Sequence, residues 1–277
     1  MKFEHTAAWV GFTAAAMVAV TACGSQGVKQ AADVVDKSDA IMAALARATD
    51  RTEQLGSAEV RMTTDIGTGT PIAMDGTYSW GDGYAYDIEM DTKAAQMQTL
   101  TADPSIRVLF VDGAYYYDVD PQPAGPLKGK EWMKIDGSAV FGESGAKALS
   151  GSNGSPSASM KGLKYADDVE NLGKETVDGK STTHYRAEID QKKLGRLKDA
   201  YGDQDGLLGK ATGGSTSMTM EVWVGAGDLP VRLKQRTGTM TVTMDFEKFG
   251  RTAVVKAPPA AETGDLTEVL KNATTGQ

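Results

Sequence analysis

Apolar and polar residues alternate with a period of two along much of the chain after Glu59, which is the pattern of half-buried β-strands. Short segments rich in Gly, Pro and Asp interrupt the alternation, and such connections favour hairpins between antiparallel strands. Asp-Gly pairs at 82–83, 112–113 and 178–179 are predicted turns. The pattern predicts strands over residues 59–66, 72–80, 84–90, 107–111, 115–119, 131–135, 166–172, 174–177, 185–189, 218–224, 229–233 and 240–246.

A different spacing precedes the strands. Apolar residues recur at helical intervals between Ile41 and Leu55, and this predicts an amphipathic helix over 38–55. Ser38 is suited to cap the first turn of that helix, and Gly56 is suited to end it.

Two shorter helices are predicted over 191–200 and 265–272, and the Gly- and Ser-rich interval 138–159 is predicted to be an exposed loop around a short helical piece. About three helices cannot cover a wide sheet of roughly ten strands. A strongly bent antiparallel sheet that encloses a groove would solve this burial problem, so we predict an α+β half-barrel.

The N-terminus carries an apolar stretch over 7–22 that follows Lys2 and ends at Cys23, the single cysteine of the chain. A stretch of roughly 16 residues is short of the roughly 20 needed to span a bilayer, so it indicates an export signal. The small residues before Cys23 resemble the bacterial lipobox. That resemblance implies that Cys23 becomes the first mature residue and carries fatty acyl chains such as palmitate; an ordinary secretory signal is the alternative.

These features predict a lipoprotein signal peptide over 1–22, a lipidated flexible tether over 23–36 and one domain over 37–277. Two acyl chains give stable membrane attachment where one gives only marginal binding. We therefore expect the mature protein on the extracytoplasmic face of the cell membrane, anchored through Cys23. No internal disulfide is expected, because the only thiol is acylated.

Charge and side-chain chemistry narrow the function classes. The formal net charge of -8 argues against nucleic acid, whose binding needs concentrated Lys and Arg. The mature chain has one histidine, His184, in a predicted strand, where a hydrogen-bonded structural role is the expectation. No serine or cysteine triad, phosphate-binding loop or EF-hand loop is recognisable. We therefore expect no enzymatic activity, no metal and no cofactor.

Methionines supply the second informative pattern. Seven of the 13 methionines occupy alternating apolar positions in predicted strands. Methionine is flexible and polarizable, so a sheet face lined by it can repack around varied apolar ligands, although methionine also fills ordinary cores. The residues predicted to line an apolar cavity are Val60, Met62, Met74, Met90, Met218, Met220, Val222, Met240, Val242 and Met244.

Several segments resemble the actinobacterial LppX/LprA/LprF/LprG lipoproteins, which are themselves similar to LolA and LolB. They are residues 169–179 (VENLGKETVDG), 183–186 (THYR), 222–224 (VWV), 228–232 (DLPVR), 245–250 (DFEKFG) and 257–259 (APP). The resemblance spans essentially the whole mature chain. It implies a strongly bent antiparallel sheet, helices against its mouth and an apolar cavity for acyl chains.

The resulting hypothesis is a membrane-anchored lipoprotein that binds or shuttles a lipid, lipoglycan or other amphiphile, with an envelope transporter as a candidate partner. Two rivals remain open from the sequence. A cell-surface sensor or protein-interaction module would have a closed core without a cavity, and an envelope hydrolase would place a carboxylate pair in a polar cleft.

Overall fold

The computed structural model describes residues 27–67, 70–140, 146, 155–166, 168–190, 217–250 and 252–275. The chain forms two compact units, residues Met1–Lys37 and Ser38–Gln277, and the second unit contains the sheet. The described ranges contain the α-helices α1 (Gly27–Leu55), α2 (Pro156–Lys161) and α3 (Thr267–Thr275), and residues 137–140 are also helical. No helix in these ranges is long and apolar enough to cross a membrane.

In the described part of the chain, twelve strands form one curved, unclosed sheet with the order β12-β6-β5-β4-β3-β2-β1-β11-β10-β9-β8-β7. The fold is therefore an α+β half-barrel, as predicted. All neighbours pair antiparallel except β12 and β6, which are parallel. The strands are β1 (Ser57–Asp65), β2 (Ile72–Ser79), β3 (Ala85–Asp91), β4 (Ser105–Val111), β5 (Ala114–Asp118), β6 (Trp132–Asp136), β7 (Val169–Val177), β8 (Lys180–Asp190), β9 (Ser217–Val224), β10 (Pro230–Thr237), β11 (Met240–Phe249) and β12 (Thr263–Asp265).

Two of the predicted Asp-Gly turns connect the strands of tight β-hairpins. Asp112 (φ 53°) and Gly113 (φ 78°) join β4 to β5, and Asp178 (φ 48°) and Gly179 (φ 75°) join β7 to β8. Positive φ at both central residues is the signature of a type I′ turn, whose twist matches that of the flanking strands. Local turn chemistry therefore sets the register of these two hairpins.

Helix α1 packs one face on the apolar side of the sheet. Leu45, Ala48, Thr49 and Thr52 recur at helical spacing and are all buried. The indole Nε1 of Trp80 donates a 3.0 Å hydrogen bond to the carbonyl oxygen of Thr52 and so joins the helix to the end of β2. We call the face that carries α1 the concave face.

The start of α1 corrects one prediction. We expected a flexible tether up to residue 36 and a helix from Ser38, but the helix begins at Gly27, and Ser38 lies inside it. The physical reason is that no Gly or Pro occurs between Val28 and Leu55, so no residue type that breaks helices separates the two segments. The helix ends at Leu55 as predicted, with Gly56 at φ +70°.

Other elements differ in detail. The strands predicted over 166–172 and 174–177 are one strand, β7, with an irregularity between Asn171 and Gly173. The short helical piece expected in the interval 138–159 corresponds to α2, but Ser155 and Ser157 are buried, so the prediction that this interval is exposed is wrong for its described residues. The terminal helix runs slightly later than predicted. The helix predicted over 191–200 lies outside the described residues, as do the signal peptide and Cys23.

Candidate functional site: the concave face

Strand register brings four methionines into one row on the concave face. Met90 pairs with Met74, Met74 with Met62, and Met62 with Met244, so the row crosses the neighbouring strands β3, β2, β1 and β11. Directly paired residues of antiparallel strands project on the same side of a sheet and contact each other. The row is therefore a continuous thioether surface, although its members come from distant parts of the sequence.

The register places all ten predicted lining residues on this face. Six are buried in the described structure: Val60, Met74, Met218, Met220, Val222 and Met240. The other four are half-buried: Met62, Met90, Val242 and Met244. The half-buried residues therefore supply the part of this apolar surface that solvent can reach.

Two helical segments cover the face more closely than the expected open groove would allow. Leu45 and Ala48 of α1, together with Met160 of α2 and Leu163 just after it, share one apolar cluster with the sheet. A pocket of about 120 Å³ remains where α2 meets Met220, Val242 and Met244. A dry cavity of about 150 Å³ holds benzene, so among the described residues this pocket has room for only a short part of a chain.

Aromatic residues occupy the neighbouring part of the concave face. Tyr78, Tyr86, Phe110 and Tyr115 are paired in register from β2 to β5, with ring centroids 4.9 to 5.5 Å apart. The hydroxyl of Tyr78 lies 3.7 Å from the Met62 sulfur and links this row to the methionines. Burial raises the pKa of the Tyr86 phenol well above its ordinary value, so these rings are neutral at physiological pH.

One buried polar group on this face has no hydrogen-bond partner among the residues that the structure describes. This group is the hydroxyl of Thr237, a residue that is 1% exposed and pairs with Met218 and Met240. A buried hydroxyl without a partner is costly, and few such groups occur in native proteins. The Thr237 hydroxyl is therefore an unsatisfied polar group within this apolar region of the described structure.

The opposite, convex face is charged. Register places acidic and basic residues side by side across six strands, and Arg61, for example, lies between Asp75 and Asp245. Solvated, mainly opposite-charge neighbours make this face water-exposed, and the apolar strand residues lie on the concave face. The residues of this ladder are Arg107, Glu89, Asp75, Arg61, Asp245 and Arg232.

His184 also lies on the convex face, in β8, as predicted. Its Nε2 is 3.0 Å from Glu221 and its Nδ1 is 3.2 Å from Glu175, and the ring stacks on Trp223 at 4.0 Å. Both ring nitrogens are thus occupied by carboxylates, which is the hydrogen-bonded structural arrangement expected for a strand histidine. Among the described residues, no group of three His, Cys, Asp or Glu side chains has the arrangement of a metal site.

Comparison with solved structures shows the class of fold. The lipoprotein LppX of Mycobacterium tuberculosis superposes with a TM-score of 0.52 at 15% identity, and the match covers 79% of this chain and 99% of LppX. LprF of Mycobacterium bovis matches with a TM-score of 0.46 at 13% identity over 78% of this chain and 96% of LprF. The chain therefore has the half-barrel fold of LppX, and the predicted resemblance is confirmed at the level of the fold.

Sequence relatives come from Streptomyces. An uncharacterized 31.2 kDa protein of Streptomyces griseus is 28% identical over 246 residues, which cover 83% of this chain and 80% of the relative. A candidate lipoprotein of Streptomyces coelicolor is 28% identical over 239 residues, which cover 82% of this chain and 75% of the relative. No protein-family model matches the chain.

Sequence reasoning missed two features of this site. The aromatic row had a visible signal, because tyrosines recur every second residue at Tyr84 and Tyr86 and again at Tyr115 and Tyr117. The cover over the methionines had no comparable signal. Strand alternation identifies the apolar face of a sheet but not the helices that pack on it.

Proposed function

We propose that this protein is an extracytoplasmic lipoprotein, held at the membrane by acylated Cys23, whose concave face binds the acyl chains of a lipid, lipoglycan or other amphiphile. The observation that carries the proposal is the row formed by Met90, Met74, Met62 and Met244 inside a half-barrel with the fold of the lipoprotein LppX. Methionine surfaces adapt to varied apolar partners. The role is binding or transfer, without catalysis.

Binding in this arrangement requires the cover to move. The pocket of about 120 Å³ under α2 is much smaller than an acyl chain, so the chain enters as α2 separates from Met220 and Val242. Helix α2 has only six residues, which suits it to such a movement. The concave face and the membrane interior are both apolar environments. Transfer of an acyl chain between them is therefore nearly balanced in free energy and needs no large energy input.

The ligand itself can be identified directly. Full-length protein carrying Cys23→Ala, and therefore no attached lipid, is purified without detergent, and its organic extract is analysed by mass spectrometry. We expect an amphiphile with at least one acyl chain in near-stoichiometric amount. An extract that matches the one from an unrelated purified protein would contradict the proposal.

Anchoring gives a second prediction. Cys23→Ala should move most of the protein from the membrane fraction to the soluble fraction, because the two acyl chains supply the stable attachment. The matched control is Ser25→Ala, which alters a neighbouring residue and leaves the thiol in place. Immunoblots of the fractions after a high-salt wash measure the distribution, and a Cys23→Ala protein that stays with the membrane would overturn the anchor assignment.

A further inference from the structure

A larger pocket lies at one end of the half-barrel, where α1 ends, β10 begins and β11 ends. We call it the end pocket; its volume is about 650 Å³, within the range of small-ligand sites. It shares no lining residue with the small pocket under α2. Its occupancy can therefore be tested separately from the proposed acyl-chain binding at the methionine row.

The walls of the end pocket are largely apolar. Leu55 at the end of α1, Val231 in β10, and Phe246 and Phe249 in β11 line it. The two phenyl rings stack with centroids 5.0 Å apart and nearly parallel planes. Such walls suit a hydrocarbon chain better than a polar metabolite.

Two cations and one carboxylate also line the pocket. Arg51 projects from α1, and among the described residues no hydrogen bond or ion pair engages its guanidinium. Lys180 donates a 3.1 Å hydrogen bond to the backbone carbonyl oxygen of Phe246, which holds its ammonium group at β11 where that strand lines the pocket. The carboxylate of Glu247 is paired with Arg61, which also contacts Asp75, so the pocket lining carries two cations against one carboxylate.

We propose that the end pocket binds a single-chain amphiphile with an anionic headgroup, the chain against the apolar walls and the headgroup between Arg51 and Lys180. A carboxylate or a phosphate monoester has the required chemistry, since both accept charge-assisted hydrogen bonds from guanidinium and ammonium groups. A cationic headgroup would meet like charge at the same place.

Isothermal titration tests this proposal in full-length Cys23→Ala protein that also carries Met62→Gln and Met244→Gln, so that chain binding at the methionine row is weakened. The probes are dodecanoate, dodecyl phosphate and dodecyltrimethylammonium, each below its critical micelle concentration. We expect both anions to bind at least tenfold more tightly than the cation, and the preference between the two anions to identify the headgroup. Added salt should weaken anion binding because it screens these exposed charges.

Substitutions then locate the bound anion. Arg51→Gln combined with Lys180→Gln should weaken anion binding about tenfold or more, whereas Arg236→Gln, an exposed arginine at the far end of β10, should change it less than twofold. Dodecanoate bound instead at the methionine row would be lost in Met62→Gln/Met244→Gln and unaffected by the Arg51 and Lys180 changes. Loss of dodecanoate binding in the methionine variant alone would overturn the proposal. The proposal would also be wrong if the cationic probe bound as tightly as the anions, or if neither anion bound to a protein with Arg51 and Lys180 in place.

Discussion

Gly76→Ala should destabilise the domain by about 3 to 5 kcal/mol, the largest stability effect that we expect from a single methyl group. Gly76 lies in the interior of β2 and pairs with Ile88 in β3. A Cβ at this position would lie 2.2 Å from the carbonyl oxygen of Asp87 and 2.7 Å from the Cα of Ile88. Both are backbone atoms, so the overlap can be relieved only if the two strands separate.

Gly81→Ala is the matched control, because it adds the same methyl group just after β2. Its nearest neighbour would be the Cα of Gly56 at 3.6 Å, an ordinary contact, so its stability should change by less than about 1 kcal/mol. Urea denaturation followed by circular dichroism measures both variants. Equal midpoints for Gly76→Ala and Gly81→Ala would show that β2 and β3 do not approach each other as closely as described.

The turns and strands of this fold were predictable from neighbouring residues, whereas the pairing of distant strands was not. The Asp112-Gly113 and Asp178-Gly179 turns and the alternating strands are encoded by residues that are adjacent in the chain, and they appear where the pattern predicted them. The pairing of β1 with β11 is different, because it joins segments far apart in sequence. Alternation assigns each strand its apolar side but leaves the choice of neighbour undetermined.

The candidate site shows the same division. Period two assigned Met62 and Met244 to apolar strand positions, but only the register of β1 and β11 makes them neighbours. The positions of α1 and α2 over the sheet follow from long-range packing, so the sequence suggested a wider groove than the described residues leave. The end pocket combines α1, β10 and β11, and no single stretch of sequence contains its pattern.

Met62→Gln combined with Met244→Gln should weaken acyl-chain binding about 30-fold while the domain stays folded. The two half-buried side chains are in direct register, and glutamine keeps their length but exchanges the thioether for an amide that prefers water. Losing roughly 1 kcal/mol of apolar contact at each position gives about 2 kcal/mol in total. A loss of 1.4 kcal/mol is tenfold in affinity.

The matched control is Thr63→Gln combined with Thr243→Gln. These residues pair in the same two strands one position away and project from the convex face. The control therefore places the same two amides in the same strands, outside the proposed binding surface, and its affinity should stay within about twofold of the unsubstituted protein.

The central claim is that the concave methionine face binds acyl chains. Fluorescence titration measures the affinity for an uncharged monoacylglycerol probe, and thermal melting of the same samples checks that each variant is folded. An uncharged headgroup separates this site from the end pocket and its two cations. The proposal predicts tight binding to the Cys23→Ala protein and to the Thr63/Thr243 control, and about 30-fold weaker binding to a folded Met62/Met244 variant. A folded methionine variant that binds the probe as tightly as the control would contradict it.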